Sequence, residues 1–305
     1  MNQVNSVPYH HLIDTPLIDL IQRADKVKKK YASDKLEICS ILNAKSGLCS
    51  EDCKFCAQSS KHSTILPVYP LKKKSEILKA AYTAKDNGAK KFGIVTSGNC
   101  LNKNELDLIL ESIREIKNGV GIDVCASLGA LSKQELIMLK KAGVVRYHHN
   151  IETSPRFYPK IVSTHTFEER MATIYAAKEV GLEVCSGGII GMGETWQDRI
   201  DMVVILKKLG VDSIPINVLV PVKGTPLENI NQISCVDAIR TIAIFRIILE
   251  DKIIKIAAGR ETILKDFQAL GFIAGANGML IGGYLTIKGR DVSEDWNLIK
   301  ELKSI

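Results

Sequence analysis

Hydrophobic positions along the chain alternate between helical spacing and short β-branched runs. Leu17, Leu20, Ile21, Ala24 and Val27 recur at helical spacing and predict an amphipathic helix over residues 14–30. Short apolar runs predict strands over residues 36–42, 91–96, 121–128, 144–151, 182–190, 213–220, 253–258 and 278–282. Helical spacing between and after these runs predicts helices over residues 75–87, 101–117, 132–141, 166–180, 195–209, 235–250, 261–270 and 293–302.

These elements form eight successive strand–helix units. Such alternation predicts a parallel sheet with crossover helices, and eight units favour closure into an α/β fold of the (β/α)8 TIM type. An open, doubly wound sheet is the alternative. We expect residues 1–35 to form an N-terminal extension with a helix, and residues 36–305 to form a single barrel. The active site of such a barrel lies at the carboxyl ends of its strands.

The composition is that of a globular protein with a full core, at 46% hydrophobic and 25% charged residues. No apolar run reaches the roughly 18–20 residues that span a bilayer, so no membrane is expected. The formal charge of +7 comes partly from lysine runs at residues 28–30 and 72–74. These runs lie on predicted helices without interleaved aromatic residues, which indicates solvated faces and no nucleic-acid partner.

Eight cysteines without a secretory signal indicate a reducing cytoplasm, where thiols serve as ligands or as packing. Cys49, Cys53 and Cys56 follow the first predicted strand at the spacing Cys-x3-Cys-x2-Cys. Three thiolates from one loop can hold three corners of a cubic iron–sulfur cluster and leave the fourth iron open to a ligand. A zinc site with His62 and a disulfide are the alternatives.

Further polar residues fall within or just after the predicted strands. They are Cys39, Cys125, His149, Asn150, Cys185, Asn217 and Arg260. A single strand cysteine usually packs, but inward-facing positions of different barrel strands converge on one interior site. Three buried thiols and an arginine would suit a second cluster, with the guanidinium as a ligand or as a compensating charge.

The cysteine spacing, with Phe55 before the last cysteine, resembles the signature of radical S-adenosylmethionine (SAM) enzymes. Longer motifs are similar to the biotin synthase family and extend over nearly the whole chain. They occupy residues 45–47, 51–53, 153–155, 184–189, 191–195, 215–217, 258–261 and 274–277. In the superfamily, SAM chelates the open iron, and an electron from the cluster cleaves it to a 5'-deoxyadenosyl radical.

The resemblance implies conversion of dethiobiotin to biotin, with sulfur from an auxiliary cluster that is [2Fe–2S] in the family. The resemblance also implies that SAM contacts residues 187–194. The cofactor-binding residues that it implies are Phe55, Asn150, Glu152, Arg170, Gly188, Gly191 and Glu194. It places the substrate against His148, Asn150 and Asn217. It also implies flavodoxin or ferredoxin as the electron donor, and a homodimer.

The chain departs from the family at the auxiliary cluster. By resemblance, Cys125, Cys185 and Arg260 match three of its ligands, but Gly93 occupies the position of the fourth. Our hypothesis is that Cys39 replaces that ligand and that the cluster has an altered geometry or nuclearity. Cys100 is a weaker candidate, and Cys235 is expected to pack.

A second departure lies in the fourth predicted strand. His148 and Glu152 stand where the family typically has asparagine and aspartate. Glutamate can keep a ribose contact, and histidine can hydrogen-bond a ureido oxygen only in one tautomer.

Other functions compete with this interpretation. Hydrogenase-cluster maturases and the mutase of pyrrolysine synthesis share the barrel but do not account for Cys125, Cys185 and Arg260 together. Lipoyl synthase needs a second cysteine motif, and nothing before Cys39 supplies one. A non-catalytic iron–sulfur carrier or a zinc-stabilised binding module would need no glycine-rich cofactor turn.

Overall fold

Nine parallel strand segments form one sheet in the computed structural model, which describes residues 7–32, 36–286 and 289–303. The strands are β1 (Glu37–Lys45), β2 (Lys91–Thr96), β3 (Asp123–Ser127), β4 (Val144–His148), β5 (Glu183–Cys185), β6 (Gly188–Ile190), β7 (Ser213–Val218), β8 (Ile253–Ile256) and β9 (Gly278–Leu280). Their order is β5-β4-β3-β2-β1-β9-β8-β7-β6, and β5 also pairs with β7. The sheet therefore closes, and the predicted (β/α)8 barrel is confirmed.

The fifth predicted strand divides into β5 and β6 because the backbone passes very close to its neighbours there. A Cβ on Gly187 would lie 2.0 Å from the carbonyl oxygen of Pro215. A Cβ on Gly188 would lie 2.3 Å from the carbonyl oxygen of Glu152. Only glycine permits these approaches, so β5 and β6 together make one of the eight barrel strands.

Eleven α-helices accompany the strands in the described part of the chain. They are α1 (His11–Asp14), α2 (Leu17–Tyr31), α3 (Lys74–Asp86), α4 (Lys103–Glu115), α5 (Lys133–Ala142), α6 (Phe167–Glu179), α7 (Trp196–Leu209), α8 (Cys235–Leu249), α9 (Arg260–Ile263), α10 (Gln268–Ile273) and α11 (Val292–Leu302). None of the helices in these ranges is long and apolar enough to cross a membrane.

Local sequence sets several helix ends. The predicted helix over 14–30 begins only at Leu17, because Pro16 occupies the N-cap and separates α1 from α2. The Ser132–Glu135 capping box at the start of α5 is present as predicted. The predicted helix over 261–270 is broken into α9, a short 3-10 turn and α10.

Helix α2 covers the outside of the barrel by packing its buried face against α8. The expected boundary between the N-terminal extension and the barrel, at residues 35 and 36, adjoins residues 33–35, which lie outside the described ranges. Alternation along β2 buries Phe92 and Ile94 on one face. Gly93 and Val95 lie on the other face, which lines the interior of the barrel.

Candidate active site

The barrel encloses a cavity of about 450 Å³, here called the chamber. It is lined by the cysteine loop after β1, by inward-facing residues of the strands, and by Tyr284, Leu285 and Thr286 of the segment after β9. Its volume lies within the range of small-molecule sites, ~300–1,000 Å³. The chamber is therefore the candidate active site.

Cys49, Cys53 and Cys56, the loop thiols, all line the chamber at the carboxyl end of β1. Backbone hydrogen bonds fold their loop back on itself. The amide of Cys49 donates to the carbonyl oxygen of Gln58 at 3.0 Å, and that of Cys56 donates to the carbonyl oxygen of Cys53 at 2.9 Å. The loop directs three side chains at one volume, as the spacing predicts.

The outer side of the loop is tied to the connection between β4 and α6. The carboxylate of Asp52 accepts from the amides of Ser163 at 2.9 Å and Thr164 at 3.2 Å. Burial alone would raise the pKa of Asp52, but hydrogen bonds from Ser163 and Thr164 lower it well below its ordinary value. Asp52 thus fixes the loop against a second element.

The thiol environment favours a cluster over a zinc ion. Burial and a charge on Cys49 together raise the pKa of Cys56 to about 11, so a cationic metal must compensate the thiolate. Nε2 of His62 lies 3.0 Å from the carbonyl oxygen of Cys53, so this histidine is engaged by backbone. In the described ranges no three His, Cys, Asp or Glu side chains converge on a single-ion position. A cubic cluster instead offers each thiolate its own iron.

Asn150, Glu152 and Arg170 converge beside the loop thiols and line the chamber. The Asn150 amide donates to Glu152 at 3.3 Å, and the Arg170 guanidinium donates to the same carboxylate at 3.2 Å. Glu152 has φ of +65°, a left-handed conformation that costs free energy in a non-glycine residue. Such strain is characteristic of functional sites, and the three side chains lie together, while their assignment to SAM binding stays a prediction.

The glycine-rich turn contributes Ile189 to the lining of the chamber. Phe55 lines the chamber, but Gly188, Gly191 and Glu194 do not. The carboxylate of Glu194 accepts from the amide of Gly191 at 2.8 Å and from the guanidinium of Arg199 at 2.7 Å. Glu194 accepts hydrogen bonds within its own turn, and Gly188 permits a close strand contact, so the assignment of these residues to cofactor binding stays a prediction.

Three further cysteines, Cys39, Cys125 and Cys185, line the chamber nearer the amino ends of the strands. Each is the third residue of its strand, in β1, β3 and β5 respectively, and we call them the floor thiols. Gly93, between β1 and β3, faces the same volume and pairs with Cys125. Cys100 is exposed and Cys235 lies on α8, so neither joins the floor thiols.

Arg260 does not face the floor thiols, which corrects its prediction as a cluster ligand. Its side chain is buried outside the chamber lining and donates to both carboxylate oxygens of Asp295 at 2.8 Å. It also donates to the hydroxyl of Tyr284 at 3.0 Å. Because Arg260 follows the end of β8 at the start of α9, it points toward α11. It joins the C-terminal helix to the barrel.

Three cations that the sequence analysis did not single out, Lys255, Arg146 and Lys91, line the chamber near the floor thiols. The ammonium of Lys255 lies 3.1 Å from Sγ of Cys39 and 2.7 Å from the carboxylate of Glu37. Arg146 pairs with Glu37 and lies 2.8 Å from Glu183. The sequence carried a signal for Arg146. It precedes His148 by two residues on an apolar strand, so the two side chains share a face, and a charged residue is thereby predicted on the interior face of the barrel.

This charge arrangement acts most strongly on Cys185. Burial alone would raise the pKa of its thiol, but Lys255, His148 and Arg146 lower it to about 6. Burial and a charge on Cys39 together raise the pKa of Cys125 to about 12. One floor thiol is thus ionised near neutral pH in the metal-free protein, while the others need a cation to ionise.

The predicted substrate residues, His148, Asn150 and Asn217, all line the chamber. His148 pairs with Cys185 in the sheet, and His149 and Asn150 follow the end of β4, not within it as predicted. The Asn217 amide donates to the carbonyl oxygen of Gly188 at 3.1 Å and accepts from the amide of Ala258 at 3.2 Å. One further donor and one further acceptor site of this amide remain for a ligand.

Three chamber-lining polar atoms are buried without a hydrogen-bond partner: Oε2 of Glu51, Oγ1 of Thr96 and Nε2 of His149. Buried polar atoms are nearly always paired, so orphans at one cavity indicate a polar ligand. With the loop thiols beside them, these residues fit an iron–sulfur cluster that carries a polar cofactor.

Comparison with known proteins agrees with a site for an iron–sulfur cluster and a polar cofactor. The Radical SAM superfamily matches residues 45–206, and the Biotin and Thiamin Synthesis associated domain matches residues 215–304. A methylornithine synthase structure superimposes with a TM-score of 0.84 at 19% identity, covering 99% of this chain and 93% of that one. An FeFe-hydrogenase maturase from Carboxydothermus hydrogenoformans superimposes with a TM-score of 0.80 at 20% identity, covering 94% and 72%. At these identities the structures show the fold alone.

The chain is therefore a radical SAM barrel enzyme. Biotin synthase of Thermotoga neapolitana is 54% identical over 274 residues, covering 90% of this chain and 98% of that protein. Biotin synthase of Thermotoga petrophila is 51% identical over 288 residues, covering 94% and 95%. The chain belongs to the biotin synthase family.

Proposed function

We propose that the enzyme converts dethiobiotin to biotin, with SAM as the source of the radical and an auxiliary iron–sulfur cluster as the source of sulfur. The observation that carries the proposal is the presence of two thiol sets in one chamber. The loop thiols lie at the carboxyl ends of the strands and the floor thiols nearer the amino ends. A substrate held between them has radical chemistry on one side and sulfur on the other.

The loop thiols Cys49, Cys53 and Cys56 would hold the [4Fe–4S] cluster that the superfamily implies. Asn150, Glu152 and Arg170 would bind the polar groups of SAM, and Phe55 of the cysteine loop would also contact SAM. When bound, the cluster supplies the electron that cleaves SAM, and SAM supplies the radical that removes hydrogen from the substrate. The role of the protein is to orient these groups and to exclude water.

The floor thiols Cys39, Cys125 and Cys185 would hold the auxiliary cluster in this chain. Support comes from the position of Cys39, whose thiol faces the chamber while Gly93 offers no ligand. Lys255 would balance the negative charge of the cluster, a task that the sequence analysis gave to Arg260. His148 and Asn217 would bind the substrate above these thiols.

We further propose that flavodoxin or ferredoxin delivers the electron, that the enzyme is a homodimer, and that it works in the cytoplasm. The family implies an electron donor, and a flavin or iron–sulfur protein suits a one-electron step. All eight cysteines are free, which suits a reducing compartment.

The direct test is anaerobic reconstitution of the protein followed by addition of dethiobiotin, SAM and a reductant. Formation of biotin together with 5'-deoxyadenosine supports the proposal. Deoxyadenosine without biotin would retain the radical chemistry but remove the substrate or the sulfur source. Absence of both products from a protein with a full cluster would indicate a non-catalytic iron–sulfur protein.

A further inference from the structure

His165 is a buried histidine beside the cysteine loop, on the connection between β4 and α6. Its Nε2 lies 3.6 Å from Sγ of Cys53 and 3.7 Å from the carboxylate of Glu51. Its Nδ1 lies 2.6 Å from the hydroxyl of Tyr158. The imidazole therefore bridges a buried phenol and one of the loop thiols.

The neighbours of the ring determine which nitrogen carries the proton. Both groups at Nε2 only accept once Cys53 is a metal-bound thiolate, because a thiolate and a carboxylate have no proton to give. A bare Nε2 there would place lone pairs against two anions. The tyrosine hydroxyl at Nδ1 can donate. The arrangement therefore selects Tyr158 O–H donating to Nδ1, and Nε2–H donating to Sγ of Cys53, while the carboxylate of Glu51 at 3.7 Å lies beyond hydrogen-bond distance.

We propose that His165 is a positioning residue that raises the reduction potential of the [4Fe–4S] cluster by donating its Nε2 proton to the thiolate of Cys53. The inference rests on the proposed assignment of the loop thiols to that cluster. Hydrogen bonds to cluster sulfurs withdraw electron density and favour the reduced, more negative state. The buried phenol of Tyr158 holds the ring in the donating tautomer.

The test compares reconstituted wild type with H165L, H165Q and Y158F. Iron and sulfide per chain are measured first, which tests the cluster assignment separately from its tuning. The midpoint potential is then followed through the electron paramagnetic resonance signal that changes when SAM is added, since that change identifies the SAM-binding cluster. We expect a more negative midpoint in H165L and a smaller shift in the same direction in Y158F.

The glutamine variant provides the rescue, because its amide can still donate to sulfur. We expect H165Q to keep the wild-type midpoint. H62L is the matched control, since His62 belongs to the same loop but contacts the backbone carbonyl of Cys53 at 3.0 Å and not its sulfur. Its midpoint should not move.

A fully assembled H165L cluster with the wild-type midpoint would overturn the proposal. Equal shifts in H165L and H62L would also overturn it, because loop distortion would then explain both. If H165L fails to assemble a cluster, the comparison of Y158F with H165Q decides. An unshifted Y158F midpoint then counts against the proposal, and a negative shift with H165Q unchanged supports it.

Discussion

The ammonium of Lys255 on β8 lies 3.1 Å from Sγ of Cys39 on β1, although β9 separates the two strands. Gly278 of β9 lies between Lys255 and Glu37 in the sheet and pairs with both, two residues before Leu280, which pairs with Cys39. A Cβ on Gly278 would lie 2.8 Å from Cγ of Lys255. The missing side chain therefore lets the lysine cross over β9 and place its charge among the floor thiols.

This contact places Cys39 in the proposed auxiliary site, so removing its thiol should remove that cluster. We expect reconstituted Cys39→Ala to lose the iron, the sulfide and the absorption of the auxiliary cluster while it keeps those of the [4Fe–4S] cluster. Cleavage of SAM should persist and biotin formation should fall to background.

Cys235→Ala is the matched control for this experiment, since Cys235 lies on α8 against the carbonyl oxygen of Leu264. It should retain both clusters. A Cys39→Ala protein with the full auxiliary absorption would refute the ligand role of Cys39 and leave it as a packing residue.

Lys255→Met should make Cys185 less reactive in the metal-free protein. Burial alone raises the pKa of this thiol, and the lysine is the largest of the opposing causes that bring it to about 6. Without the ammonium the pKa rises, and each unit above the working pH lowers the thiolate fraction about tenfold. Alkylation of Cys185 by iodoacetamide at pH 7, followed by peptide mass spectrometry, measures the change.

Lys91→Met is the control for alkylation, because Lys91 also lines the chamber but pairs with Asp123 at 3.1 Å. Its Cys185 should react at the wild-type rate. An unchanged rate in Lys255→Met would show that Arg146 and His148 suffice to ionise the thiol.

Glu37 should make folding stability depend on pH in the acid range. Burial would raise its pKa, but Lys255 and Arg146 lower it from 4.5 to about 2. A lowered pKa stabilises the fold above the unfolded value near 4.5 and loses that contribution as the pH falls toward 2. The shift corresponds to about 3 kcal/mol. Urea unfolding should show that the difference in unfolding free energy between wild type and Glu37→Gln decreases as the pH falls from 7 to 3.

Glu168 on α6 is exposed, so Glu168→Gln is the control for this titration. Its unfolding free energy should differ little from that of wild type at every pH. If the Glu37→Gln gap is the same at pH 7 and pH 3, the carboxylate is not the source of the acid dependence.

The barrel and the loop thiols could be predicted because local pattern determines them. Eight apolar runs alternating with helical spacing specify the strands, and a cysteine triplet within one loop needs no long-range information. The convergence of Asn150, Glu152 and Arg170 was also predicted, but only through family resemblance. Without it, a lone arginine on α6 has no signal that separates a site residue from a surface charge.

The floor of the chamber could be predicted only in part, because strand register decides which charges meet there. Lys255 reaches Cys39 because Gly278 of β9 has no side chain in its path. Nothing in the sequence of residues 253–256 indicates that this path is open. Arg260 was assigned to the site because it follows a predicted strand and, by family resemblance, matches a ligand position. The first turn of α9 carries it away from the chamber, to Asp295.

Arg260 should therefore contribute to stability and leave the auxiliary cluster in place. Its guanidinium is 1% exposed and its partner Asp295 is 0% exposed, so Arg260→Met leaves a buried carboxylate without its counter-ion. Breaking one side of a buried pair costs roughly 3–5 kcal/mol. Urea unfolding should show that loss, while protein reconstituted under native conditions keeps its iron and sulfide.

Arg290→Met is the matched control: its pair with Glu294 at 3.1 Å is exposed, and such pairs contribute at most about 1 kcal/mol. Selective loss of the auxiliary cluster from folded Arg260→Met would return the arginine to the ligand role that its sequence position suggested.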